Sequence, residues 1–204
     1  MENLDMIRKV TPNFFFWQGL RFVPLGFIIL LFAFTIGDPP WAQFGVEWVS
    51  DLLLAAFVAL AVIASIWIGR YYNRHFGQVR ESPGAHRQRD TIKWLIAYPL
   101  MFLSLIYDAV LQPAVFVTGL VWAIGLVAYW YSTGRGRRHY FVAAGLMALL
   151  AFLPPLGLVR AGDEILRLFF LLLGLTYVFG GILDHIELTQ IFKPIEDLRD
   201  ADPV

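Results

Sequence analysis

Apolar residues fall in long blocks along this chain, separated by short polar connections, and the block from Leu166 to Leu183 is the clearest of them. It lies within ILRLFFLLLGLTYVFGGILDHIE and carries no charge except Arg167 near its start. A helix rises about 1.5 Å per residue, so a block of roughly 18 residues nearly matches a hydrocarbon core of about 30 Å. Comparable blocks cover residues 20–36, 52–69, 94–111, 114–131 and 140–159. The pattern predicts an all-α integral membrane protein, a polytopic bundle of six transmembrane helices forming one domain over residues 1–187.

The breaks between blocks carry turn chemistry. Pro12-Asn13 offers a helix start with Asn13 as its cap, and Gly37-Asp38-Pro39-Pro40 stops the first span. RYYNRHFGQVR extends the second helix until Ser82-Pro83-Gly84, Gln112-Pro113 turns the chain between spans three and four, and Pro154-Pro155 breaks or kinks span five near its end. Phe14 to Trp17 and Tyr129 to Tyr131 have the make-up of interfacial aromatic belts, and the connection holding Trp41, Phe44 and Trp48 reads as an interfacial segment. The tail, residues 188–204, is short, polar and acidic, and is expected to fray.

Small residues mark the faces on which spans pack. Ala55 with Ala59, Ala61 with Ser65, Gly119 with Ala123 and Ala144 with Ala148 stand four apart, while Gly174 and Gly181 stand one heptad apart on one face. His185 continues that glycine stripe, at about 20° from Gly174 by helical phase, and Asp184 sits beside it.

Composition supports the block pattern: 58% of residues are hydrophobic and 16% charged, against roughly a quarter charged in a soluble domain. The formal net charge is zero, but Lys and Arg are segregated. Connection by connection they number three, zero, six, zero, three, two and two, which places fourteen on one side and two on the other. By the positive-inside bias both termini are cytoplasmic, in a bacterial-type plasma (inner) membrane. The connection from Arg70 to Lys93 nets plus four, and the segment from Asp184 to Val204 nets minus four. Anionic lipid headgroups at the cytoplasmic face are therefore the expected partners of Arg74, Arg80, Arg87 and Arg89, with a protein partner or a second copy also open. Nucleic acid is not an expected partner. MENLDMIRKV lacks the apolar run and small-residue cleavage site of a secretory signal, and the chain has no cysteine for disulfides or thiol chemistry.

Candidate chemistry is sparse. Asp108 is the one acid placed within a span, close to its outer end, where it either serves a transport path or bonds the tight outer turn, paired there with Arg160 or Arg167. Ser104, four residues before it, reads as a hydrogen-bonding partner on a packing face. By this topology Asp184, His185, Glu187, His75 and His139 all reach the cytoplasmic rim. They include nitrogen and oxygen ligands, but His185 and Glu187 lie about 160° apart on a helix, so no metal and no cofactor is expected. Three functions remain, in order: a non-enzymatic membrane subunit or partner-binding component, a small-solute, ion or proton transporter using Asp108, and a membrane-surface enzyme built on those five residues. Convergence of at least three of the five would promote the enzyme.

Overall fold

The computed structural model describes residues 18–36, 47–75, 85–132 and 138–199, with side chains described at all of these except 47–51, 53, 85–94, 132 and 191–199. Among the described residues the chain is helical, with no strand. A 3-10 turn at Gly19–Arg21 leads into α1 (Val23–Ala33), followed by α2 (Glu47–His75), α3 (Ala85–Leu111), α4 (Val117–Ser132), α5 (Arg138–Ala151) and α6 (Asp163–Arg199). The expected helix start at Asn13, the belt Phe14 to Trp17, and Trp41 and Phe44 lie outside the described residues.

Helix ends follow local chemistry, and in two places that chemistry overrules hydropathy. Pro24 sits in the first turn of α1, where its missing N–H takes no bond from the helix. Past Ala33 the chain tightens, with Phe34 N–H bonding Leu31 O at 3.0 Å and Thr35 N–H bonding Phe32 O at 2.9 Å. α5 ends at Ala151, and residues 152–159, expected to continue span five, form turns. Pro154-Pro155 accounts for this, because each proline lacks a donor and disfavours helix in the residue before it. The tail departs in the other direction: residues 188–199, expected to fray, continue α6. Leu188 is fully buried, and adding residues to a formed helix needs no new nucleus.

Among the described residues two helices are long and apolar enough to cross a membrane, Leu54–His75 with 22 residues and Asp163–Gln190 with 28. Gly19–Ala33, Leu95–Leu111, Val117–Tyr131 and Arg138–Ala151 are apolar but shorter.

The helices pack in the order α2, α1, α6, α5, α4, α3, so the last helix of the chain lies inside the row and α2 and α3 stand at its edges. The apolar core lies between α4, α5 and α6, where Phe116, Ala123, Met147, Leu150, Ile165, Phe169 and Leu173 are buried together. The Phe169 ring meets Phe116 at 5.5 Å and Trp122 at 5.9 Å, both edge to face. Gly119 allows α4 to approach α5, since a Cβ there would fall 2.9 Å from Met147 O.

The closest seam joins α1 and its preceding turn to α6. Gly19 faces Gly181, and Gly26 faces Gly174, so two glycine pairs at the same heptad spacing meet on helices that run antiparallel. A Cβ on Gly174 would lie 2.6 Å from Leu30 Cγ and 2.9 Å from Gly26 O, and one on Gly181 would lie 2.5 Å from Gly19 O. Backbone touches backbone at both crossings, and no side chain can enter without moving a helix.

Gly181→Ala is therefore expected to destabilise the fold by about 1–3 kcal/mol, the usual cost of overpacking a well-packed contact. Gly145→Ala is the control, because a Cβ there meets nothing within 4 Å; it should be neutral or slightly stabilising through helix propensity. Thermal unfolding in detergent reads both, and equal midpoints for the two variants would refute the close contact.

Candidate functional site

A polar cluster forms where the end of α2, the Gly19–Arg21 turn, the start of α5 and the second half of α6 come together. Asp184 is fully buried. Its Oδ2 accepts a hydrogen bond from Tyr140 Oη at 2.8 Å, and its Oδ1 lies 3.2 Å from His139 Nε2. Both partners come from the first turn of α5, where consecutive residues reach the same carboxylate. The glycine seam sets the other wall, because a Cβ on Gly19 would sit 2.5 Å from Asp184 Cβ.

His185, the next residue on α6, points to a different helix. Its Nδ1 lies 3.0 Å from Tyr72 Oη, and Tyr72, fully buried on α2, also accepts a bond from Leu20 N–H at 3.3 Å. A hydroxyl that accepts from Leu20 has its own proton to give to Nδ1, which leaves the imidazole proton on Nε2. His75 stacks on Tyr71 at 4.3 Å and places Nδ1 3.1 Å from Tyr71 O. Arg21 bonds Gln18 Oε1 through Nη1 at 2.8 Å and lies across Gly69 of α2.

Of the five residues expected at one rim, Asp184 and His139 meet directly. His185 turns to Tyr72, His75 to Tyr71, and Glu187 is half-buried further along α6. Among the described residues no group of three His, Asp or Glu gathers at metal-binding spacing. Arg74 is exposed at the end of α2; Arg80 and the side chains of Arg87 and Arg89 lie outside the described residues.

Sequence reasoning missed Tyr72, Tyr140, Gln18 and Arg21. Tyrosines near span ends resemble interfacial belts, and only the fold shows which hydroxyl meets a carboxylate. Gly19 and Gly26 were legible, because they repeat the heptad spacing of Gly174 and Gly181.

Asp108 lies at the opposite end, almost fully buried, and its two oxygens accept the backbone N–H groups of Val117 at 3.1 Å and Thr118 at 2.5 Å. It closes the first turn of α4, where orphan donors and the helix dipole favour a negative charge. The expected ion pairs do not form among the described contacts: Arg160 N–H bonds Glu164 Oε2 at 2.9 Å, and the Arg167 guanidinium bonds Ile36 O. Ser104 donates to Met101 O at 2.8 Å rather than to Asp108.

No family model, no curated protein and no solved structure matches this chain.

Tyr140→Phe removes a hydrogen bond to a buried carboxylate and is expected to cost about 1.5–3 kcal/mol, whereas Asp108→Ala, a cap loss, should cost about 1–2 kcal/mol. Chemical denaturation in detergent measures both, and no change in either would deny these contacts a structural part.

Proposed function

We propose that this chain is a six-span integral membrane protein of a bacterial-type plasma membrane, with both termini cytoplasmic, acting as a non-enzymatic subunit or partner-binding component. The observation that carries the reading is the outward-facing apolar surface of the two edge helices. Trp67 on α2 is 71% exposed, as is Leu95 on α3, and Val110 on α3 is 72% exposed. Each large apolar side chain left in water forgoes roughly 1.5–3 kcal/mol, so such faces suit lipid or a protein partner.

The shorter helices are compatible with six spans. α4 and α5 have 16 and 14 residues, or about 24 and 21 Å, and a bilayer thins locally around short spans. The turns after α5, FLPPLGLV, add apolar length. The polar groups favour a structural over a catalytic part: Asp184 ties α5 to α6, His185 ties α6 to α2, and Asp108 caps α4. Asp184 is wholly enclosed and offers no surface to a substrate.

Because the chain has no cysteine, single cysteines can be added without background. With a membrane-impermeant maleimide, Ala42→Cys, Ala114→Cys and Ala161→Cys should label from outside intact cells. Ser82→Cys, Gly134→Cys and Ala201→Cys should label only after permeabilisation, and the opposite pattern at any site would break the six-span order. Light scattering in mild detergent should give a protein mass above the 23.2 kDa of one chain. A bare single chain would sink the subunit reading.

A further inference from the structure

Between α1 and α2 lies an open-sided cleft of about 410 Å³, lined by Leu25 and Ile28 from α1, by Phe22 just before it, and by Ala61, Val62, Ser65 and Ile66 from α2, with Arg21 also on its wall. The volume falls within the range of small-molecule sites, roughly 300–1,000 Å³. Its origin is visible in the sequence of α2. Ala61, Ser65 and Gly69 follow one another at four-residue spacing, so a stripe of small side chains leaves a trough where a larger residue would have filled the space. Apolar Val62 and Ile66 form the adjacent stripe, which Arg70 continues at the same spacing and is exposed.

Arg21 is the charged group among the residues lining the cleft. It is held rather than trailing: Gln18 fixes one guanidinium nitrogen, and the guanidinium lies over Gly69, where a Cβ would fall 3.2 Å from Nη2. The cleft is thus apolar along its length and cationic toward the end where Arg70 and Arg74 also stand. An apolar trough closed at one end by positive charge matches a molecule with a hydrocarbon chain and a negative head. Under the positive-inside order that end faces the cytoplasmic leaflet, where anionic lipids are concentrated.

We propose that the cleft between α1 and α2 is a binding site for an anionic glycerophospholipid, one acyl chain lying along Ala61, Ser65, Leu25 and Ile28 and the phosphate meeting Arg21 and Arg70. The inference rests on the membrane reading above and gives that reading a ligand class and a place. Arg21 and Arg70 act as a pair of point charges and donors on the phosphate, while the trough supplies contact that any diacyl lipid could use.

The test is native mass spectrometry of the purified full chain in mild detergent, titrated with phosphatidylglycerol and with phosphatidylcholine. One phosphatidylglycerol should bind roughly fivefold more tightly per arginine engaged than phosphatidylcholine, the value of about 1 kcal/mol per basic residue near a membrane surface. Arg21→Gln and Arg70→Gln should each erase about that factor, and Arg21→Lys should restore part of it. Ser65→Phe, which fills the trough, should weaken both lipids alike. Inorganic phosphate added at millimolar concentration should not displace the lipid; displacement would show an anion site with no lipid part and overturn the proposal. Equal affinity for the two lipids, or a preference untouched by both arginine variants, would also overturn it. Cysteine labelling of the same variants keeps the two readings apart: an intact labelling pattern with no lipid preference refutes the cleft alone, and a lost pattern in the unaltered chain refutes the membrane topology. Should Arg21→Gln fail to fold, the exposed Arg70→Gln together with Ser65→Phe decides the question.

Discussion

The antiparallel contact of Gly19 and Gly26 with Gly181 and Gly174 is the constraint on which the rest of the molecule depends. It brings the backbone of the entry turn against α6, and through that approach Gly19 forms a wall of the Asp184 pocket. Leu20, one residue on, is then in place to give its N–H to Tyr72. α2 is thereby fastened to α6 across a turn that belongs to neither. A side chain at either glycine pair would move these partners together, because backbone packed on backbone has no rotamer with which to yield.

Among the described residues two acids, Asp108 and Asp184, are buried. A carboxylate without partners in an apolar interior costs several kcal/mol, which explains why Asp184 has Tyr140 and His139 on it and Asp108 has two backbone donors. These contacts lie at opposite ends of the bundle. The first joins α5 to α6, and the second joins the end of α3 to the start of α4. The apolar core of Phe116, Met147 and Phe169 fills the space between them, so directional bonds fix the two rims while packing fixes the middle.

The sequence made the helical class and the α6 glycine stripe legible because both are periodic signals that survive without knowledge of neighbours. Two ends were misjudged by hydropathy. α5 stops at Ala151 although the residues after it are apolar, since Pro154-Pro155 cannot extend a helix, and α6 runs on to Arg199 although its tail is polar. The site was half legible. Asp184, His185 and His139 could be named as candidates from the sequence, but the choice of His139 over His185 as the partner of Asp184 depends on which helix stands beside α6. That order, α2, α1, α6, α5, α4, α3, has no local signature.

The same order has a geometric consequence. α2 and α3 follow each other in the chain, with residues 76–84 between His75 and Ala85, yet they occupy the two edges of the row. Ten steps of extended chain reach at most about 35 Å, whereas five helix-to-helix intervals of about 8–10 Å would need roughly 40–50 Å in a straight file. Chain connectivity between His75 and Ala85 is thus too short for a straight file, and the row must bend into an arc that brings the end of α2 and the start of α3 closer together.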